Sequence, residues 1–422
     1  MINELNFEPE FMADFCEDVL RIAERKMAES KELLAKNPPV RPLLPRLATG
    51  GCFTGLFLWD SCFCTMWAKF APERFPVTTT LDNFYNLQQE DGFICREFKS
   101  DGRAFWSKEH PISFNPPILS WAEIQLYDAG VTGIDRLRQV YPKLKKHYEF
   151  CRRTYRRSDG LYFGDALGCG MDDLPRMPFE KHNDAHSGID IKPEHITVES
   201  RMWDFVSRTD LYCWNRQMGW IDISSQMALN ALNMKRIAAL IGKQSDAEMF
   251  AMHHAELAEI INEKCFDESR GFYFDFYNGK VIPRYHAGAF WVMIAGVVPG
   301  ERISQVVAVL RDEKIFNRPV PFPSLGACDK NYDPEKGYWP GPVWPPTAYV
   351  AIQGLRAMGE EEEAVYFARK YYNAVAELYR KTGTVFENIS PEQYDHPKEF
   401  AGRDFCGWAA LAPVALYHDF FI

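Results

Sequence analysis

Apolar residues recur at the three-to-four-residue spacing of a helix face about a dozen times along this chain, and that recurrence limits the fold more than anything else in it. The periods run over 8–34, 60–70, 76–90, 117–129, 134–156, 222–241, 245–266, 285–295, 301–310, 344–358, 360–379 and 407–420. Strand signals are few and local. The clearest is the alternation across 271–278, which ends in Asn278-Gly279, the dipeptide of a two-residue hairpin turn. An all-α fold with minor β-hairpins is therefore expected.

No solenoid repeat and no Pro/Ser-rich linker interrupts the pattern, so residues 1–422 read as a single domain. The stretch 177–219 is irregular and rich in His, Asp and aromatics, and reads as an insertion or lid. Further long loops are expected at 92–115 and 317–346.

Several function classes are disfavoured at once. Lys and Arg number 48 against 58 Asp and Glu, giving a net charge of −10 without any basic run, so nucleic acid is not an expected partner. Residues 1–10 are polar and acidic, and no apolar stretch reaches the length of a membrane span, which leads to the expectation of a cytoplasmic protein with no membrane partner. Eleven cysteines without a CxxC pair suit reduced thiols. There is no HExxH or Cys/His ligand spacing, so no catalytic metal is expected, and with no GxSxG elbow, no P-loop and no GxGxxG after a strand the hydrolase-triad, NTPase and dinucleotide readings lack support.

What remains is a set of acids and aromatics at predicted helix ends and loops. Gly170-Met-Asp-Asp-Leu-Pro-Arg176 places adjacent carboxylates between a glycine turn and a proline, on backbone that no helix can use. An Asx-turn is one reading of it. A catalytic loop is the other, favoured by its company: Trp59-Asp60, Arg96-Glu97, Asn115, Tyr338-Trp339, Trp344 and Glu387. If the helices pack in a ring, one rim collects them all. Tryptophan faces stack on pyranose C–H faces and carboxylates accept hydroxyl protons, so such a rim suits a small carbohydrate.

Glycoside hydrolysis needs two carboxyl groups in unlike environments, and Asp172 and Glu387 are the candidates. Asp173 beside Asp172 would raise one of the pair's pKa values, the direction a general acid requires, while Arg176 would offset it. Asp60 serves equally as a helix N-cap or a sugar ligand. Trp59, Trp339 and Trp344 are expected to face sugar, and Arg96, Arg176 and Arg201 are available to an acidic aglycone.

Taken in order, these segments resemble glycoside hydrolase family 63, with the trehalases as more distant relatives. Phe57-Leu-Trp-Asp60, Asp91-Gly-Phe-Ile-Cys-Arg-Glu97 and Asn115-Pro-Pro117 are similar to its first three motifs. Gly170–Arg176 is similar to the segment carrying its general acid, here Asp172. Tyr338-Trp-Pro-Gly-Pro-Val-Trp344 resembles a further motif, and Phe386-Glu-Asn388 with Phe405-Cys-Gly-Trp408 resembles the segment carrying the general base, here Glu387.

The resemblance implies an (α/α)6 barrel, inversion at the anomeric carbon, no cofactor, and α-linked glucose or mannose as donor. It extends the substrate-binding set to Trp59, Asp60, Arg96, Glu97, Asn115, Asp173, Arg176, Tyr338, Trp339, Trp344 and Trp408. Pro340 stands where many members have arginine. Glu199-Ser-Arg-Met-Trp-Asp204 resembles the trehalase acid motif, which makes Asp204 the reserve acid. A trehalase-like hydrolase, a sugar epimerase or isomerase, and a sugar-binding protein are the alternatives. Whether the chain forms a homo-oligomer stays open.

Overall fold

A computed structural model describes residues 5–36, 43–47, 54–106, 108, 114, 116–164, 166–176, 218–398 and 401–422. Helices alternate between an inner and an outer position along the chain. The inner ones are α2 (Leu58–Ala68), α4 (Leu119–Asp128), α6 (Ile221–Leu240), α8 (287–294), α10 (Pro345–Ala357) and α12 (408–420). Each packs on the next, and α12 packs back on α2, so they close a ring.

The outer ones are α1 (Pro9–Lys36), α3 (Val77–Asn86), α5 (Ile134–Tyr155), α7 (Gln244–Lys264), α9 (Ile303–Arg311) and α11 (Glu361–Thr382). α1 and α11 lie on α12, α3 on α2, α5 on α4 and α6, and α7 on α6. This is the (α/α)6 barrel that the resemblance implied. Each expected helical period coincides with one of these helices.

The two layers differ as their sequences dictate. Every residue of α2, Leu-Trp-Asp-Ser-Cys-Phe-Cys-Thr-Met-Trp-Ala, is buried, as suits a helix enclosed on all sides. The outer α5 buries only Leu137, Val140, Tyr141, Leu144, His147, Tyr148, Phe150, Cys151 and Tyr155, a stripe at helical spacing. The last inner helix is irregular: it passes from a 3-10 turn through a π turn at Ala412–Leu416 that contains Pro413. Proline has no N–H to return to the preceding turn, so a regular α-helix is interrupted there.

Short strands fasten the helix starts. Leu56–Phe57 pairs antiparallel with Glu97–Phe98, and Leu58 N–H donates to the Arg96 carbonyl at 2.9 Å, which brings the first two motifs together. Asp275–Tyr277 and Lys280–Ile282 form the expected hairpin, its turn made by Asn278 (φ 47°) and Gly279 (φ 76°). Two positive φ values define the turn that suits strand twist and explain Asn-Gly there. Met218–Gly219 adds a third strand beside Asp275–Tyr277 and leads into α6. Residues 177–217 of the expected insertion, with Arg201 and Asp204, lie outside the described residues, as does Asn115.

Side chains bond across the C-terminal rim of the ring. Lys69 Nζ donates to Gln125 at 2.8 Å, Gln353 and Tyr349 donate to the Asp419 carboxylate at 2.7 and 3.2 Å, and Arg356 donates to the Asp419 carbonyl at 2.9 Å. The N-terminal rim carries the expected acids and aromatics.

Candidate active site

Asp60 is the third residue of α2, whose N-cap is Phe57 with no side-chain capping bond, so the N-cap reading of Asp60 is not what the structure shows. Its carboxyl is buried in the first turn. Desolvation pushes its pKa up to about 7, with Glu97 and Asp172 adding to the rise and Arg96 opposing it. Glu97, also raised by burial, accepts from the Trp106 indole at 2.9 Å and lies 3.9 Å from Arg96, whose guanidinium stands over the Trp106 ring.

The Gly170–Arg176 loop is fixed at both ends. Gly170 has φ +82°, and a β-carbon there would come within 2.4 Å of the Trp59 ring, so only glycine fits. Leu174 N–H closes a turn on the Met171 carbonyl at 3.1 Å, placing Asp172 and Asp173 at its two central positions. The turn reading and the site reading thus coexist. Asp172 is half-buried, and Asp173 accepts from the backbone N–H of Trp339 at 2.8 Å. Burial raises the Asp173 pKa against that hydrogen bond.

Arg176, expected at the substrate, has another task. Its guanidinium makes four hydrogen bonds to carboxylates, to Asp222 at 2.7 and 2.9 Å and to Asp275 at 2.6 and 2.9 Å, a fifth to the Cys169 sulfur at 3.6 Å, and stacks over Trp220 at 4.1 Å. His286 Nε2 lies 3.1 Å from Asp275, which also accepts the Ile221 N–H at 2.9 Å. With its side chain fully buried and forked between two carboxylates, Arg176 anchors the loop to the start of α6. Asp222, Asp275 and His286 were missed as a unit because each comes from a different sequence segment.

Glu387 sits on an extended segment held by bridges Phe386 to Arg403 and Val343 to Ile389. One carboxylate oxygen accepts the Tyr338 hydroxyl at 3.0 Å, the other the Gly402 N–H at 3.3 Å. At 8% exposure its pKa is raised by desolvation, which outweighs Tyr338, Gly402 and Lys398. Lys398 is buried beside it and donates to the Glu335 and Gly337 carbonyls at 3.1 and 2.7 Å. No motif pointed to Lys398 or Gly402.

The tryptophans pack on one another. Trp339 and Trp344 stack at 4.1 Å with planes 4° apart, Tyr338 and Trp408 stand edge-on to Trp344 at 4.8 and 5.8 Å, and Trp59 bridges Trp339 and Trp408 at 6.2 and 5.7 Å. The starts of α2, α10 and α12 thus share one aromatic floor. Trp344 has 0% exposure, and its indole N–H donates to the Tyr338 carbonyl at 3.0 Å, so it supports the site and offers no face to sugar. Tyr338, 38% exposed, is the aromatic that faces outward.

The acids form one electrostatic array: Asp172 adds to the rise of both Asp60 and Tyr338, and Tyr338 also feels Glu387. Among the described residues, no group of three His, Cys, Asp or Glu side chains could hold a metal, and no helix is long and apolar enough to cross a membrane.

Comparison with known proteins agrees with this architecture. The mannosylglycerate hydrolase of family GH63 from Thermus thermophilus, solved with Tris, superposes with a TM-score of 0.68 at 18% identity, over 93% of this chain and 99% of that one. Neutral trehalase from Saccharomyces cerevisiae gives 0.63 at 14% identity, over 88% and 73%. In sequence, a probable mannosyl-oligosaccharide glucosidase of Schizosaccharomyces pombe is 22% identical, over 77% of this chain and 39% of that protein. An uncharacterized protein of Borreliella burgdorferi is also 22% identical, over 79% and 63%. The chain therefore spans less than two thirds of these two relatives. Residues 54–405 match the mannosylglycerate hydrolase MGH1-like glycoside hydrolase domain, and the chain belongs to that family.

Proposed function

We propose that this chain is an inverting, exo-acting α-glycosidase for a short α-glucoside or α-mannoside, with Asp172 as general acid and Glu387 as general base. The observation carrying this is the contrast between the two carboxyls. Glu387 is buried, bracketed by two donors and close to a lysine, whereas Asp172 stands half-buried at the tip of a pinned turn. Unlike environments are what an acid–base pair requires, and which carboxyl is the acid rests on the motif each occupies, because burial raises the pKa of Glu387.

Asp172 gives its proton to the glycosidic oxygen as the bond from that oxygen to the anomeric carbon breaks. Water adds to the opposite face of that carbon and passes a proton to Glu387. Inversion needs room for that water, with the carboxyls about 6.5–9.5 Å apart. Asp60, with its pKa near neutrality, is suited to bond sugar hydroxyls as donor or acceptor. The names of the relatives suggest the panel to test: mannosylglycerate, trehalose, and short α-glucosides and α-mannosides.

An NMR time course should show a β-configured hemiacetal as the first product from one of these. An α-configured first product refutes inversion. An isomerised sugar, or binding without turnover, refutes the hydrolase reading.

A further inference from the structure

Tyr338 was expected to touch sugar, yet its hydroxyl lies 3.0 Å from a Glu387 carboxylate oxygen. That hydroxyl is held in place from several sides. The ring stands edge-on to Trp344 at 4.8 Å and 90°, the Tyr338 carbonyl accepts the Trp344 indole N–H at 3.0 Å, and the preceding carbonyls of Glu335 and Gly337 are held by Lys398. Gly402 N–H reaches the other Glu387 oxygen from a separate segment. The carboxylate is bracketed by two donors that come from different loops.

We propose that Tyr338 is a positioning residue for the water-activating carboxylate, holding Glu387 ionised and aimed through its hydroxyl; this rests on the reading of Glu387 as general base. A phenol held against a carboxylate stays protonated and acts only as donor, and partial burial followed by Glu387 raises its pKa in that direction. A donor to the ionised form favours that form, so removing it moves the base toward protonation. The Tyr338–Glu387 bond also explains why a partly exposed aromatic at the rim has both its ring and its backbone tied down. A sugar platform needs a face, whereas this residue needs its hydroxyl in one place.

The test is Tyr338→Phe in the full chain, followed on α-glucosyl fluoride or α-mannosyl fluoride, whichever the wild type hydrolyses. Fluoride departs without a general acid, so Asp172 drops out of the pH–kcat profile, and the displacement of the acid limb between variant and wild type, which share Asp60, reports the change at Glu387. The variant should keep the wild-type melting temperature and KM. Its acid limb should move up by about one pH unit, a loss of about ten-fold on that limb. An unmoved limb, or a raised KM with kcat unchanged, overturns the proposal and returns Tyr338 to sugar contact. Glu387→Gln separates this from failure of the underlying reading: if that variant keeps full turnover, Glu387 is not the base at all.

Discussion

Replacing Asp60 with asparagine should make the protein more stable and less active, and the gain should depend on pH. Its folded pKa is about 7 against an ordinary value of 3.8, a rise of about 3 units, and each unit is worth about 1.36 kcal/mol. For a carboxylate raised in the fold, ionisation opposes folding. The fold therefore loses nothing from this group at low pH, loses stability as pH rises from the unfolded pKa to the folded one, and carries the whole loss above about pH 7. The amide of the Asp60→Asn variant does not ionise and escapes it. The stability difference between variant and wild type should be about 1 kcal/mol at pH 4.5, about 3 at pH 6 and about 4 at pH 8. For a chain of this length, about 4 kcal/mol corresponds to a rise of about 4 °C in melting temperature. Urea titrations of both proteins at the three pH values measure it, and kcat/KM on the best α-glycoside should fall about 10- to 100-fold from loss of a charged hydrogen-bond partner. A difference that is flat in pH, or a variant less stable at pH 8, would refute the desolvation argument.

Asp172→Asn should lower kcat on an alkyl α-glycoside by about three to four orders of magnitude but spare much of the activity on the corresponding glycosyl fluoride; Glu387→Gln should lose both, and equal losses for Asp172→Asn would remove it as acid. The wild-type acid limb should lie above the range of an ordinary glutamate, because burial raises the Glu387 pKa; a pH–rate profile with that limb at about pH 4 would contradict it. Arg176→Met would leave Asp222 and Asp275 as two buried carboxylates sharing no guanidinium, with a loss of about 3–5 kcal/mol in denaturant midpoint experiments.

Outer helices were legible because one-sided enclosure leaves a periodic trace, as in the stripes of α5 and α11; the spacing read at 60–70 found α2 but not its surroundings, since every residue of that helix is buried. The acid loop was legible through Gly170 and Pro175, residues whose backbone demands differ from those of a helix. Which aromatics face outward was not legible. Trp344 and Tyr338 sit six positions apart in one motif, and only three-dimensional packing sends one inward to 0% exposure and leaves the other at 38%. Arg176 misled for a related reason: an arginine beside an acidic pair looks available, and its true partners, Asp222 and Asp275, lie 46 and 99 residues downstream. Lys398 and Gly402 belong to no recurrent pattern, and their roles arise only where two loops meet.

Closure of the ring sets when the site can exist. Trp67 on the first inner helix donates to the carbonyl of Gly407 at 2.9 Å, 340 residues later, and Trp59 rests against Trp408 on the last one. A nascent chain emerging from the ribosome can make the α6–α7 pair early, but it cannot complete the aromatic floor until Trp408 has been synthesised. Catalytic capacity should therefore switch on late and at once. A fragment ending before α12 would leave the buried face of α2 open to solvent and to aggregation.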